Sequence, residues 1–275
     1  MKRSGSKKMP LPIMFESFGV RVRILGSTQR IVNRAFRTAQ RAMVGKLAPY
    51  VGDVVDHTFE FRLTPKRGIN LYHNDKYVTS SPYGVGLLNY FDSILRVTIG
   101  EWARGFVFLH AGVVGWKGKA LILPGHSHSG KSTAILSLVK AGAAYLSDEF
   151  AIIDEVGNVH SFERPINIRS ATGGNKDVSE IDPATMGNVF IGSMPVGGIL
   201  FTQFVSGAAW SPRSLTPGTA LMKLAEQALS IRKESEFTIR TLKLTVEDSV
   251  LLEGERPDSD EWAVNFLKFL DNCNY

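Results

Sequence analysis

Eight consecutive residues, Gly125-His126-Ser127-His128-Ser129-Gly130-Lys131-Ser132, match G-x-x-x-x-G-K-[ST] at each fixed position. That pattern suits a polyphosphate. Glycines let backbone N–H groups curl around phosphate oxygens, and a helix that starts where the loop ends turns its positive pole toward them. Lys131 adds a charge at the β and γ phosphates, and the Ser132 hydroxyl is a ligand for Mg²⁺. Thr133 follows directly. A glycine-rich structural turn would leave Lys131 and Ser132 at the helix start unexplained. The expected cofactors are therefore ATP and Mg²⁺, the nucleotide held across Gly125, His126, Ser127, His128, Ser129, Gly130, Lys131, Ser132 and Thr133.

Asp148 lies only 17 residues after Lys131, at the end of the next strand pattern. So short a gap brings a carboxylate beside the γ-phosphate. There it can accept the proton of an attacking hydroxyl or hold Mg²⁺. Glu149 adds a second carboxylate, which with Ser132 makes the candidate metal-holding pair. A polar strand end is the plainer account of Asp148-Glu149, but the C-terminal edge of a sheet beside a phosphate loop is where ligands bind. His110 is the third candidate. If the turn of the preceding hairpin centres between 116 and 117, residue 110 pairs with 123; if between 117 and 118, it pairs with 125. Either register sets His110 beside the start of the loop, able to contact a phosphate or to hold Asp148. The candidate catalytic set is Asp148, Lys131 and His110.

The elements that must position these residues follow from hydrophobic period. Phe106–Val114 reads as a strand, Gly115-Trp116-Lys117-Gly118 as a turn and Lys119–Leu123 as its hairpin partner. Gly130–Ala141 reads as a helix with Ala134, Ile135, Leu138 and Val139 inward, and Gly142 stops it. Ala143–Ser147 is a short apolar strand, and Phe150–Asp154 with Asn158–Phe162 makes a second hairpin. Downstream, Gly197–Val205 reads as a strand. Thr216-Pro217 opens a helix whose core face is Leu221, Leu224, Ala225, Ala228 and Leu229. Phe237–Leu244 alternates weakly, as a strand would. Asp258–Leu270 closes the chain as a helix burying Trp262, Phe266, Phe269 and Leu270.

Upstream, Gly19–Leu25 alternates like a half-buried strand. A helix capped by Ser27 or Thr28 follows, with Ile31, Val32, Ala35, Phe36, Ala39, Ala42 and Met43 inward and Arg30, Arg34, Arg37 and Arg41 along its other side. Thr58–Leu63 and Ile69–His73 read as strands and Leu87–Ala103 as a helix ended by Gly105. The expected organisation is a small basic α+β region over residues 1–104 and an α/β domain over 105–275.

The 275 residues have an ordinary globular composition, 44% hydrophobic and 21% charged. Residues 1–104 carry 17 Lys and Arg against 7 Asp and Glu, and the remainder 15 against 19, so a net +6 is divided as +10 and −4. The basic part favours an acidic partner, or else simply solvates a helix face. No nucleic-acid module or stacking aromatics accompany the arginines, so nucleic acid is not expected. A single cysteine, Cys273, excludes an internal disulfide framework, and no run approaches the roughly 20 apolar residues of a membrane span. A cytoplasmic protein without a membrane partner is the expectation.

Phe108-Leu109-His110-Ala111-Gly112-Val113-Val114, then Gly125–Thr133, then Leu146-Ser147-Asp148-Glu149 resembles the catalytic domain of the HPr kinase/phosphorylase family. Glu163-Arg164-Pro165-Ile166-Asn167-Ile168-Arg169 resembles the segment that follows in that family. The resemblance covers residues 105–170. It implies a P-loop kinase fold of the type shared with phosphoenolpyruvate carboxykinases. It also implies Asp148 as general base, Lys131 as phosphate clamp, Ser132 on Mg²⁺ and His110 within the active site. The paired acid here is Asp-Glu rather than Asp-Asp. The C-terminal segment tied in that family to phosphorolysis and hexameric assembly has no evident counterpart, so a homo-oligomer is an open expectation. The function implied is transfer of a γ-phosphate to a serine hydroxyl of a protein or peptide. A small-molecule kinase acting on free serine, or an ATP-binding switch without catalysis, would fit the same residues.

Overall fold

A computed structural model describes residues 10–82, 84, 86–125, 129–169, 178–257, 260–273 and 275. It divides into two compact units, the first ending at Arg104 and the second beginning at Gly105.

The first unit is a six-stranded sheet with two helices. Its elements are β1 (Ile13–Ser17), β2 (Val20–Gly26), α1 (Gln29–Ala42), β3 (Ala48–Pro49), β4 (His57–Leu63), β5 (Gly68–His73), β6 (Lys76–Pro82) and α2 (Leu87–Trp102), with sheet order β3-β1-β2-β4-β5-β6. Val20, Val22 and Ile24 alternate inward along β2, as period two requires. Thr28 caps α1 by accepting from the Ile31 N–H, and α1 carries the chain over to β4, which runs parallel to β2. Phe91 of α2 meets the rings of Phe59 and Phe61 edge-on. Under the same helix His57 is buried against Trp102, its Nδ1 3.0 Å from Nε2 of His73.

The second unit is mixed α/β. It contains β7 (Phe106–Trp116), β8 (Lys119–Pro124), α3 (Lys131–Lys140), β9 (Ala144–Ser147), β10 (Phe150–Asp154), β11 (Asn158–His160), β12 (Ile166–Arg169), β13 (Val178–Ile181), β14 (Ser193–Phe204), β15 (Arg213–Ser214), α4 (Pro217–Ala225), α5 (Ser235–Glu247), β16 (Val250–Arg256) and α6 (Asp260–Asp271). The main path of its large sheet is β11-β10-β7-β8-β14-β16-β15, with β9 also on β7 and β12-β13 forming a small sheet apart. Strands β8, β14 and β16 are parallel. Apolar residues cover both faces of this sheet. Val107, Leu109, Ala111 and Ile122 pack under α4 and α5, while Val114, Leu121 and Leu123 pack under α3 and α6.

One feature of β7 sets the site. Its first half pairs with β10 from Phe106 to His110, and its second half pairs with β9 from Val113 to Gly115. The two-residue turn between β9 and β10, Asp148-Glu149, therefore lies opposite the changeover at Ala111-Gly112. On its other edge β7 pairs with β8, Ala111 facing Pro124. The hairpin turns at Lys117-Gly118, both at positive φ (48° and 81°), so Gly115 and Trp116 belong to the strand and the register centred between 117 and 118 is the one formed.

The structure departs from the sequence pattern at three further places. Phe237–Leu244 is not a strand but the middle of α5. Thr238, Thr241, Leu242, Thr245 and Val246 are buried at helical spacing, and the β-branched residues among them, with Ile239, mimic a strand. Phe269 lies on the outer side of α6 and is 37% exposed. Ala228 and Leu229 fall beyond the end of α4, where Ala228 bridges to Leu109. Among the described residues no helix is long and apolar enough to cross a membrane.

Candidate functional site

The loop begins where β8 ends. The Gly125 N–H donates to the His110 carbonyl at 3.3 Å, which ties the first loop residue to β7. His126, Ser127 and His128 lie outside the described residues. The chain is described again at Ser129, and Gly130 turns it into α3 at φ 81°, a conformation that favours glycine. A side chain there would also collide with the guanidinium of Arg256. Gly112 serves packing instead: a Cβ on it would meet Ile135 of α3 at 2.7 Å, so its absence lets the helix lie close on β7.

Lys131 is 8% exposed, and its ammonium reaches back across the loop to donate to the Gly125 carbonyl at 2.6 Å. Burial lowers its pKa, and the charge of Asp148 opposes that. Ser132, one residue on, donates to Oδ2 of Asp148 at 2.7 Å. Thr133 is exposed on the first turn. Asp148 itself is largely buried, and burial pushes its pKa up to about 6 against the pull of Ser132 and Lys131. Its Oδ1 is buried with no hydrogen-bond partner among the described residues, and so is Oγ of Ser129. The turn is held by Ser147, whose hydroxyl accepts the N–H groups of Glu149 and Phe150 at 3.3 and 3.2 Å.

Glu149 goes elsewhere. Its carboxylate pairs with Arg164 at 3.2 Å, and its carbonyl accepts from the Ala111 N–H and from Nδ1 of His110, both at 3.2 Å. A carbonyl only accepts, so His110 carries a proton on Nδ1. His110 is thus anchored to the backbone of the Asp148-Glu149 turn, and its own N–H donates to the Gln227 carbonyl at 2.9 Å. The structure bonds Lys131 to Gly125 and Ser132 to Asp148, sets His110 against the turn, and directs Glu149 to Arg164. No group of three or more His, Cys, Asp or Glu capable of holding a metal occurs among the described residues. A metal here would rest on Ser132, Asp148 and the phosphates themselves.

Of three further residues, Arg256 and Tyr145 carry no sequence motif, and Glu163 opens the segment that follows the second hairpin. Arg256, 2% exposed at the end of β16, donates to the Gly130 carbonyl at 2.5 Å and lies near the rings of Phe204 and Trp262. Tyr145 donates to the Arg164 carbonyl at 2.6 Å, and burial raises its pKa. Glu163 has a buried oxygen, Oε1, with no partner among the described residues. Beside the loop, a cleft of about 760 Å³ opens at the ends of β8, β14 and β16. Gly125, Ser129, Gln203 and Glu255 are among the residues that line it, along with Glu253, which is paired with Lys223 and Arg213.

No protein-family model matches the chain, and no curated protein matches it. Among solved structures, the Hpr(Ser) kinase/phosphatase from Coxiella burnetii is similar over 60% of this chain and 95% of that one, with 12% identity and a TM-score of 0.35. At that identity and TM-score the likeness assigns neither family nor activity to this chain.

Proposed function

We propose that this chain binds ATP with Mg²⁺ at Gly125–Thr133 and transfers the γ-phosphate to a hydroxyl, with a serine of a peptide or protein as acceptor. The observation that carries the reading is Asp148. It is a buried carboxyl with a pKa near 6, bonded through one oxygen to Ser132 of the loop, while its other oxygen has no partner among the described residues. A carboxylate so tuned takes a proton from an alcohol near neutral pH more readily than an exposed aspartate does.

Mg-ATP would supply the transferable phosphoryl group; the rest falls to the chain. Lys131, desolvated and lying across the loop, neutralises phosphate charge. Among the described residues no side chain caps the first turn of α3 at Gly130, which leaves its N–H groups to receive phosphate oxygens. Ser132 and Asp148 would hold the metal when it is bound, and Asp148 would take the acceptor's proton. His110 and the Glu149–Arg164 pair position the turn that carries Asp148. A cytoplasmic setting belongs to the same reading.

The test is phosphotransfer followed by intact mass and site mapping, with Mg-ATP and serine peptides, HPr and free serine as acceptors, alongside calorimetric ATP titration. Lys131→Ala is expected to weaken ATP binding at least tenfold. Asp148→Asn is expected to keep binding within a few-fold and to lower transfer by about 10²–10⁴. Unchanged turnover in Asp148→Asn removes that residue from the role of base. Phosphate on free serine alone makes the enzyme a small-molecule kinase, and tight ATP binding without any transfer makes it a switch.

A further inference from the structure

Helix α1 carries four arginines, Arg30, Arg34, Arg37 and Arg41, and no acidic residue in its 14 positions. All four are exposed. The spacing places them along one side, where like charges three and four apart repel and weaken the helix. Elsewhere in the same unit four of the six described arginines are neutralised locally, Arg23 and Arg67 being the exceptions. Arg21, Arg62, Arg96 and Arg104 each meet a carboxylate at 3.2 Å or less. Among the described residues Arg30, Arg34 and Arg37 meet none. A groove of about 480 Å³ runs along this side of α1, lined by Arg34, Arg37, Thr38, Gln40, Arg41 and, from α2, Leu88.

We propose that this groove is a docking site for an acidic segment of a peptide chain. Arg30 to Arg41 spans about 16 Å of helix, the reach of about five extended residues. Two or three carboxylates within such a segment meet the guanidinium forks, which pair with carboxylates through two parallel hydrogen bonds. An apolar side chain of the same segment rests on Leu88. The geometry favours a peptide over other anions. No lining side chain is aromatic, so single-stranded nucleic acid finds no stacking platform. The apolar side of α1 (Val32, Ala35, Ala39 and Ala42) is buried in its own unit, so α1 has no face to enter a bilayer. The proposal does not depend on the nature of the phosphate-loop chemistry.

Fluorescence anisotropy of the full chain tests it, at about 50 mM salt. The probes are a labelled eight-residue peptide rich in Asp and Glu with one central Leu, its Asn/Gln counterpart, and a thymidine oligonucleotide; vesicles containing an anionic lipid are assayed by sedimentation. The acidic peptide should bind, its neutral counterpart at least tenfold more weakly. Arg34→Glu/Arg37→Glu should lose at least tenfold in affinity, whereas Lys66→Glu/Lys76→Glu, the same charge change elsewhere in the unit, should lose less than threefold. Arg34→Ala/Arg37→Ala, with circular dichroism of each variant, separates lost binding from lost fold. Equal losses in the two charge-reversal variants, no binding of the acidic peptide, or an Arg34/Arg37-dependent preference for the oligonucleotide or the vesicles would each overturn the proposal.

Discussion

The carboxyl of Asp148 titrates near pH 6 because burial outweighs the Ser132 hydrogen bond and the Lys131 charge. An unfolded aspartate titrates near 4, so the folded state holds this proton more tightly than the unfolded chain does. The associated stability is fully present below about pH 4 and is lost as pH rises through 6. Above that the ionised carboxylate costs the fold about 3 kcal/mol. Asp148→Asn keeps the shape and removes the charge. Urea denaturation should therefore find the variant about 1–3 kcal/mol more stable at pH 8, with the difference shrinking toward pH 4.5. In the wild type, kcat/KM for phosphotransfer should rise with pH through about 6, the ionisation that destabilises the fold being the one that makes the base. A variant no more stable than wild type at pH 8 would show that Asp148 is solvated well enough to ionise without cost.

Strands β4 and β5 bring His57 and His73 together, and the pair makes the first unit sensitive to acid. Burial, then the neighbouring His73, lowers the pKa of His57 to about 4, and burial lowers that of His73. A depressed folded-state pKa in a base gives stability that is present above the unfolded value near 6.5 and lost as pH falls through about 4. Hydrogen exchange of the β4 and β5 amides should accelerate between pH 6.5 and 4, after correction for intrinsic rates, and His57→Gln should flatten that dependence. These strands were legible as short strand-like runs, the helix after the phosphate loop by its apolar face at helical period and the strand ahead of Asp148 as a short apolar run, because each pattern is local. What could not be read is what the topology brings from afar. Arg256 meets Gly130 across 126 positions with no motif around either its strand or its ring neighbours. Gln227 reaches His110 from the loop after α4. Helix α5 was hidden by its own composition, since Thr, Ile and Phe favour strands until tertiary burial at helical spacing overrides them. The Asp148-Glu149 pair was visible as two carboxylates, but only the bonds to Ser132 and Arg164 divide them between different partners.

At the scale of the whole chain the two units carry separate cores and opposite charge. Phe15, Val22, Ile24, Phe59, Phe61, Phe91 and Leu95 close the first, and the apolar faces of the eight-stranded sheet close the second. At roughly 100 and 170 residues each is large enough to bury a core of its own. The balance of +10 over residues 1–104 and −4 over the remainder gives each unit a distinct electrostatic character. The two proposed binding functions should therefore separate with the units. A fragment of residues 1–104 should fold cooperatively by circular dichroism and bind the acidic peptide with an affinity within threefold of the full chain. A fragment of residues 105–275 should bind ATP within threefold of the full chain and leave the acidic peptide in solution. Calorimetric titration of both fragments with both ligands reads all four combinations. If ATP binding by residues 105–275 fell more than tenfold while that fragment stayed folded, the first unit would be a working part of the nucleotide site. If the acidic peptide followed residues 105–275, the arginine groove of α1 would not be its dock.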